Sequence, residues 1–494
     1  MTGTDAGTPF VQVLAGLAAA GPDEAAVISG GSTLTRRELD EESTRLARVY
    51  HNHGVCAGDH VTIELPNGPD WFVAGLAAWK LGATPNPISP GLPRVERTAI
   101  LERARPTLIV GLPDGERSEV PGLPKGYRAD PAISTEPLPP VVSAVERALT
   151  SGGSTGLPKL ILSGSPAVYH PTGAMARLFT PRARGLVPGP LYHGIPFAAA
   201  WRSLLAGATV VVLDRFDPEE CLRLIQEQHI DRTWLVPTMM SRIARLPEAV
   251  RHGYDLGSLE FVLTAGAPCP EWLMRHWIEW VGPGVMHEAY GSTERLGGTF
   301  ITGTEWLAHP GSVGRPVGTE VKILDPESGA ELASGTTGEV YLRPTGAAST
   351  YRYVGAEENA SRDGWQSLGD MGYLDDDGYL YLGDRRTDMI LCRGRNIYPA
   401  EVEAALDSHP RIRSSAVIGL PDDDLGQRIH AIVESGPIDP DQLRGYLKER
   451  LAHYKLPKVF EFVDRPLRDD SGKVRRSALR AERLPTTTGR GEEA

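Results

Sequence analysis

The stretch LTSGGSTGLPK, residues 149–159, combines three glycines, four hydroxyl side chains, a proline and a lysine. Glycine permits backbone conformations in which successive N–H groups point toward phosphate oxygens, and the hydroxyls and the lysine add donors and a positive charge. The stretch therefore predicts a loop that binds a polyphosphate, and an ordinary Gly-Ser surface loop is the alternative. The residues expected to contact phosphate are Ser151, Gly152, Gly153, Ser154, Thr155, Gly156 and Lys159.

This loop differs from the Walker loop of P-loop nucleotidases. A Walker loop has a glycine directly before its lysine and a serine or threonine directly after it, where the hydroxyl binds Mg²⁺. Here Pro158 precedes Lys159 and Leu160 follows it. The pattern excludes a motor or kinase of that class.

The composition is that of an ordinary globular protein with more than one domain. The chain has 494 residues, 41% of them hydrophobic and 23% charged, and about 150 residues per domain suggests roughly three units. The net charge of −12 argues against a protein that coats nucleic acid or an anionic membrane. An anionic ligand therefore needs a local binding site.

Neither the cysteines nor the apolar stretches indicate a secreted or membrane protein. Cys56, Cys221, Cys269 and Cys392 are widely spaced and lack metal-ligand spacing, which is typical of reduced thiols and predicts a cytoplasmic location. Phe10–Ala20 is apolar but too short to span a membrane, so we predict an amphipathic helix there.

Alternating helical and strand patterns predict a layered α/β domain in the first part of the chain. Threonine is a common N-cap residue, and Thr35 directly precedes a helical pattern, so it is predicted to cap that helix. Residues 112–141 are rich in proline, glycine and charge and predict a surface excursion. The predicted elements are helices at 35–50, 71–81, 218–228 and 271–280 and strands at 60–65, 209–213 and 261–264.

The pattern changes near residue 311. Short strands with glycine and aspartate turns are predicted at 339–343 and 379–383. After Asp384, helices at 399–408 and 440–452 and a strand at 415–419 predict a separate domain of about 100 residues. The last residues, 487–494, predict a disordered tail.

The loop at 149–159 resembles the phosphate-binding signature of the acyl-adenylate-forming (ANL) superfamily, which includes acyl-CoA synthetases, peptide-synthetase adenylation domains and luciferases. Further motifs of this family follow in the same order, and the resemblance covers residues 34–484. Chance does not produce so many matches in order, so the chain is identified as a member, of the freestanding acyl-CoA synthetase type. The matches are PLYH at 190–193, VPT at 236–238, GAP at 266–268, YGSTE at 290–294, GSVGRP at 311–316, LGD at 368–370, DR at 384–385, NIYP at 396–399 and SGK at 471–473.

The resemblance implies a reaction in two halves. A carboxylate attacks the α-phosphorus of ATP and expels pyrophosphate, and a thiol then displaces AMP from the acyl-adenylate. Lys473 matches the family's catalytic lysine, and His193 matches the residue beside the carboxylate and thioester tunnel. Glu294 matches the Mg²⁺ carboxylate, with Thr293 as a donor to the α-phosphate. The implied cofactors are therefore ATP, Mg²⁺ and CoA.

The same resemblance implies a nucleotide site. Adenine would lie between Tyr290 and the 266–268 segment, and Glu288 would accept a hydrogen bond from the adenine amino group, where relatives often have Asn or Gln. Asp370 and Arg385 match the groups that contact the ribose hydroxyls. Taken singly, these residues have ordinary alternatives as turn or surface residues. The other positions of this predicted site are Gly266, Ala267, Pro268, Ala289, Gly291 and Ser292.

The resemblance also implies a small α+β C-terminal domain that rotates between the two half-reactions. The predicted domains are 1–385 and 389–486, with a hinge at 386–388, and the face around Gly394 would serve thioester formation. Thr387 replaces the Asp or Lys common at the hinge, and CRGR at 392–395 replaces a Ser-Gly-Gly-Glu-like run. Arg393 and Arg395 either attract CoA phosphates or are solvated loop charges.

The segment PFAAAW, residues 196–201, contains no acidic residue. Peptide-synthetase adenylation domains usually place an aspartate in this region to pair with the substrate ammonium group, and a buried unpaired ammonium is costly. We therefore predict an apolar or bulky carboxylic acid as substrate, with Phe197, Trp201 and Leu263 lining its pocket.

CoA is the predicted acyl acceptor, and the phosphopantetheine of a carrier protein is the second possibility. The rival classes are a non-catalytic nucleotide-binding protein and a luciferase-like oxidative enzyme. No nucleic-acid or membrane partner is expected. The sequence leaves the oligomeric state open, a homodimer included.

Overall fold

The computed structural model divides into two compact units. The first comprises 1–269, 273–321 and 342–366, and the second comprises 270–272, 322–341 and 367–494. The second unit thus includes segments before 385, and the predicted domain boundary and hinge stay predictions. The described residues are 7–113, 115, 118–151, 159–172, 178–294, 296–346, 351–355, 363–385, 388–392, 395–422, 425–469 and 472–484, without the side chains of Ser151, Asp384, Arg385 and Asn396.

A largely parallel sheet forms the centre of the first unit. Its strands are rich in buried β-branched residues on both faces, as in TVVV at 209–212, which is typical of a parallel sheet covered on both sides. The parallel strands, in spatial order, are Ala25–Ser29, Thr209–Val212, Arg184–Val187, Arg232–Leu235, Phe261–Ala265 and Met286–Gly291. Antiparallel strands extend it at both sides, namely Ser32–Thr35 at one and Gly298–Thr302 and Ser312–Val317 at the other.

Smaller sheets complete the first unit. One is parallel, in the order Thr84–Pro87, His60–Ile63, Leu108–Leu112 and Gly122–Pro124. Another is antiparallel, in the order Tyr351–Val354, Lys159–Ser163 and Ala148–Ser151, and Thr8–Pro9 pairs with Val168–Tyr169. The predicted surface excursion at 112–141 therefore needs correction, because its residues 122–124 add a strand to a sheet.

Helices surround these sheets. The predicted cap is confirmed: the Thr35 hydroxyl accepts the Glu38 N–H at 3.2 Å, and the Glu38 carboxylate accepts the Thr35 N–H at 2.7 Å. Among the described residues, no helix has both the length and the apolar character needed to cross a membrane. The helices are Phe10–Ala20, Arg36–Asn52, Pro69–Lys80, Arg94–Ala104, Gly194–Leu205, Pro218–Glu227, Pro237–Ala244, Glu248–Arg251, Glu271–Val281 and Gly303–Ala308.

An aromatic cluster fills the core between the helices Pro69–Lys80 and Gly194–Leu205. The rings of Trp79 and Trp201 lie 4.5 Å apart, and a Cβ on Gly75 would lie 2.9 Å from the Trp201 ring. Phe197 and Trp201 are 1% and 2% exposed, and Leu263 belongs to the same core. The structure thus places all three side chains in the apolar core, and the prediction that they line an acyl pocket stays a prediction.

The second unit is built on a long antiparallel hairpin. Ile412–Asp422 pairs with Gly426–Ser435, which is flanked by Val459–Val463 in parallel and by Ile390–Cys392. Further strands are Arg395–Ile397 and Leu380–Arg385, and three strands have residues in both units, namely Thr319–Leu324, Gly338–Pro344 and Gln366–Leu374. Its helices are Pro399–Asp407, Pro440–Lys448 and Arg476–Ala481, with a 3₁₀ turn at His453–Lys455.

Candidate active site

The predicted adenine segment lies at the carboxyl edge of the parallel sheet. Phe261–Ala265 and Met286–Gly291 are neighbouring parallel strands, with Ala265 opposite Ala289, so the segments that follow them meet at the same edge. This is the edge at which α/β sheets bind ligands. Gly266 has a φ of +89°, a conformation that favours glycine. Gly266 and Pro268 are exposed, and Ala267 and Tyr290 are half-buried.

The predicted phosphate loop connects two paired strands. Ala148–Ser151 and Lys159–Ser163 are antiparallel, with Ser151 opposite Lys159. The two ends of the loop are therefore next to each other on paired strands. Its residues Gly152, Gly153, Ser154, Thr155 and Gly156 lie outside the described residues, as does the side chain of Ser151.

The predicted catalytic residues of the first unit are brought together around Gly194. A Cβ on Gly194 would lie 3.6 Å from the Thr293 hydroxyl oxygen and 3.8 Å from Leu149, the residue that begins the loop sequence. His193 directly precedes the helix Gly194–Leu205, and its ring lies 4.6 Å from that of Tyr192. The His193 segment, Thr293 and the start of the phosphate loop are therefore neighbours.

Glu294 is held by a residue that sequence reasoning missed. The Tyr353 hydroxyl donates to Glu294 Oε1 at 2.7 Å, and Lys159 Nζ lies 4.9 Å from the centre of the Tyr353 ring. Burial, followed by the bond to Glu294, raises the pKa of the Tyr353 phenol. In the sequence, Tyr353 offers only the alternating Tyr-Arg-Tyr pattern of a strand, which does not identify a partner.

Glu294 fits the predicted role of a magnesium ligand. Magnesium is usually bound by one or two protein carboxylates, with substrate phosphates and water completing its octahedron. The described residues contain no cluster of three or more histidine, cysteine, aspartate or glutamate side chains that could hold a metal ion. A single oriented carboxylate, linked through Tyr353 to Lys159 at the end of the predicted phosphate loop, is compatible with a metal that binds together with the nucleotide.

Glu288 is buried at the same sheet edge and is 4% exposed. Burial raises the pKa of its carboxyl to about 8, although an N–H bond from Cys269 opposes this rise. Thr264 lies opposite Glu288 in the neighbouring strand, and its buried hydroxyl makes no hydrogen bond within the described part of the chain. Near pH 7 the carboxyl is therefore mostly protonated and can donate a hydrogen bond as well as accept one.

The second unit contains the predicted ribose and lysine positions. Asp370 and Arg385 are directly opposite each other in adjacent antiparallel strands. Lys473 is exposed and follows Gly472, whose φ is +79°. The Lys473 N–H donates to Asp469 Oδ1 at 3.0 Å, and the Asp469 N–H donates to the Lys473 carbonyl at 3.0 Å. These bonds fix the turn that carries the lysine.

The acceptor loop is described only in part. Arg395 is exposed, and its guanidinium lies 4.7 Å from the centre of the Tyr454 ring, so an aromatic contact orients it. Thr387, Arg393 and Gly394 fall outside the described residues.

Two cavities elsewhere in the first unit have volumes of about 310 and 450 Å³. Their described walls share Glu42, Leu65, Asp70, Gly126 and Arg128, and none of the predicted site residues lines them. These cavities therefore do not contribute to the candidate site.

Comparison with protein families identifies the class of enzyme. The model of the AMP-binding enzyme family matches residues 15–352, and the model of the AMP-binding enzyme C-terminal domain matches residues 401–473. The chain belongs to the AMP-binding enzyme family.

Individual relatives agree with this class. The chain is 33% identical to 2-succinylbenzoate–CoA ligase of Bacillus licheniformis, covering 93% of this chain and 97% of the relative. It is 32% identical to feruloyl-CoA synthase of an Amycolatopsis species, with 93% and 96% covered.

A solved structure shows the same fold. o-Succinylbenzoate CoA synthetase of Bacillus subtilis, in complex with its acyl-adenylate intermediate, matches with a TM-score of 0.82 and 28% identity over 96% of this chain and 98% of that one. That enzyme has also been solved with ATP and a magnesium ion. The predicted superfamily, the α/β fold class with a C-terminal domain, and the AMP-forming acid–thiol ligase class are confirmed.

Proposed function

We propose that this ligase converts a non-amino-acid, apolar or bulky carboxylic acid to an acyl-AMP, with release of pyrophosphate, and then transfers the acyl group to CoA. The observation that carries the proposal is the grouping at the carboxyl edge of the parallel sheet. There the Thr293 hydroxyl lies beside the Gly194 helix start, and Glu294 is linked through Tyr353 to Lys159.

In the first half-reaction, this edge would bind the phosphates. Lys159 and the N–H groups of residues 151–156 would hold the leaving pyrophosphate, and Thr293 would donate to the α-phosphate. Glu294 would hold Mg²⁺, which neutralises phosphate charge when bound. Lys473 would bridge the carboxylate and the α-phosphate. Preorganised donors of this kind supply most of the acceleration when charge develops in the transition state.

The nucleoside would lie between Tyr290 and the 266–268 segment. The protonated Glu288 carboxyl offers an acceptor to the adenine amino group and a donor to a ring nitrogen, as the Gln or Asn of relatives would with their amides. The remaining contacts would come from Ala289, Gly291 and Ser292, and the ribose hydroxyls would bind Asp370 and Arg385.

In the second half-reaction, a thiol would attack the acyl-adenylate near His193. We propose that residues 389–486 rotate about the hinge 386–388 and present Gly394 to the acceptor. Arg393 and Arg395 would attract the phosphates of CoA, because guanidinium groups match phosphate oxygens in geometry.

The substrate class is supported by the charges near the helix Gly194–Leu205. The segment 196–201 has no acid, and Glu146, which lies 3.9 Å from Arg202 of this helix, is buried and paired with Arg147 at 2.6 Å. A substrate ammonium group there would lack a counter-ion. The names of the two relatives refer to 2-succinylbenzoate and to a feruloyl group. Both correspond to carboxylic acids that carry an aromatic ring, which agrees with this reasoning.

The purified enzyme should be incubated with ATP, Mg²⁺ and a panel of aromatic, aliphatic and α-amino acids, and pyrophosphate release measured. We expect release with aromatic or bulky acids and none with α-amino acids. Active acids are then tested with CoA and with a phosphopantetheinylated carrier protein, and we expect transfer to CoA. Pyrophosphate release with α-amino acids alone, or loading of the carrier alone, would contradict the proposal.

A further inference from the structure

Tyr353 connects two groups that act on the same nucleotide. Its strand, Tyr351–Val354, pairs with Lys159–Ser163, so that Tyr353 lies opposite Ile161. From this position, its hydroxyl reaches Glu294 at 2.7 Å and its ring faces the ammonium of Lys159 at 4.9 Å. Tyr353 therefore contacts both the predicted metal carboxylate and the last residue of the phosphate loop.

The bond to Glu294 has a defined geometric effect. A glutamate side chain has several rotamers, and its two oxygens are equivalent until one of them is bonded. The Tyr353 hydroxyl engages Oε1, which favours one rotamer and makes the two oxygens inequivalent. Loss of a partner that orients a metal ligand in this way typically weakens metal binding by about 10–100-fold.

Tyr353 is itself rigidly held. It is 8% exposed, its ring packs against that of Tyr351 at 4.9 Å, and its backbone is fixed by strand pairing. Its ring face also attracts the Lys159 ammonium through a cation–π contact. One packed aromatic residue thus sets the positions of a carboxylate and an ammonium that lie on separate segments of the chain.

We propose that Tyr353 is a positioning residue that orients Glu294 toward the ATP-bound Mg²⁺ and Lys159 toward the phosphates, and thereby couples metal binding to phosphate binding. The inference rests on the proposed function, because it assigns the two groups to one metal–nucleotide complex. Tyr353 itself contacts neither substrate nor metal in this assignment.

The test separates the hydroxyl from the ring. Tyr353→Phe removes the bond to Glu294 and keeps the ring, whereas Tyr353→Leu removes both. Tyr50→Phe is the matched control, because it removes another buried tyrosine hydroxyl, which bonds to the Ala74 carbonyl at 3.4 Å. Melting temperatures confirm that each variant is folded.

Mn²⁺ binding to the enzyme–ATP complex, followed by electron paramagnetic resonance, reports on Glu294. We expect Tyr353→Phe to weaken Mn²⁺ binding by about 10–100-fold, the usual effect of losing a partner that orients a metal ligand, and Tyr50→Phe to leave it unchanged. In a Glu294→Gln background, Tyr353→Phe should have no further effect, which a general loss of structure would not reproduce.

ATP affinity in the presence of EDTA reports on Lys159. We expect Tyr353→Leu to lower this affinity and Tyr353→Phe to preserve it. Wild-type Mn²⁺ affinity in Tyr353→Phe, equal metal-free ATP affinity in the two variants, or an undiminished effect in the Glu294→Gln background would overturn the proposal. Failure of the proposed function looks different: the wild type would bind ATP and Mn²⁺ but release no pyrophosphate with any acid.

Discussion

The surroundings of Glu288 determine the protonation state of its carboxyl group. Its neighbours across the sheet, Thr264 and Ile301, carry no charge, and Cys269 supplies an N–H and a thiol. The influences on its pKa among the described residues are burial and that N–H, and burial dominates, which gives a value of about 8. The side chain is therefore mostly neutral at pH 7.

This raised pKa predicts a pH-dependent stability. The ordinary value is 4.5, so between about pH 4.5 and 8 the folded protein keeps a proton that the unfolded chain has released. The free energy of unfolding then falls as the pH rises through this window, by a few kcal/mol at roughly 1.4 kcal/mol per pKa unit. Glu288→Gln should remove this loss, so its melting temperature relative to the wild type should be higher at pH 9 than at pH 5. The exposed Glu260→Gln is the control, and an equal difference at both pH values would show that Glu288 titrates normally.

The proposed role of Lys473 can be tested in the first half-reaction. Lys473→Ala should reduce ATP–pyrophosphate exchange by roughly two to three orders of magnitude, as expected when a group that stabilises transition-state charge is lost. Thioester formation from supplied acyl-adenylate should be preserved. Lys448→Ala, another exposed lysine of the second unit, should leave both activities unchanged. Undiminished exchange in Lys473→Ala would refute the role.

The helix Arg476–Ala481 anchors the turn that carries Lys473. Arg476 donates to Glu403 at 2.7 Å and to Asp388 at 3.2 Å. Glu403 is 5% exposed and also accepts the Val417 N–H at 2.7 Å. The short helix thus depends on a buried ion pair as well as on apolar packing.

Breaking this pair should destabilise the second unit. Among the described residues, Arg476→Met leaves the more distant Arg468, at 3.6 Å, as the counter-ion of the Glu403 carboxylate, and loss of one partner of a buried pair costs about 3–5 kcal/mol. Denaturant unfolding followed by hydrogen exchange in residues 412–435 should report this loss, and ATP–pyrophosphate exchange should fall with it. Arg480→Met on the same helix is the control, and equal stability of the two variants would contradict the anchoring role.

At the scale of the whole molecule, nucleotide binding should reduce local opening at one edge of the first unit. The segments after Phe261–Ala265 and Met286–Gly291 are separated in the chain by the helix Glu271–Val281 but meet at that edge. Adding ATP and Mg²⁺ should slow hydrogen exchange in peptides covering 262–269 and 286–294, because a ligand that binds the folded state opposes local opening. Peptides covering Leu108–Leu112, in a different sheet, should not change. Protection spread evenly over both sets would contradict a nucleotide site at this edge.

Local patterns in the amino-acid sequence determined much of this protein. Several features depend on residues within a few positions of each other. They are the Thr35 cap, the helix Phe10–Ala20, the alternating helices and strands, and each of the short motifs. The class of enzyme followed from those motifs, and the family comparison confirms it. Interactions between near neighbours are present in the sequence itself, because their spacing matches the helical or strand period.

Only the tertiary structure decided which distant residues meet. Tyr353 and Glu294 are separated by 59 positions, Trp201 is a core residue because it packs against Trp79, and the short strand at 122–124 exists through its pairing with Leu108–Leu112. The proton on Glu288 likewise depends on what surrounds it after folding. Desolvation, ring packing and long-range hydrogen bonds arise when separate segments exclude water together, and no local spacing records them.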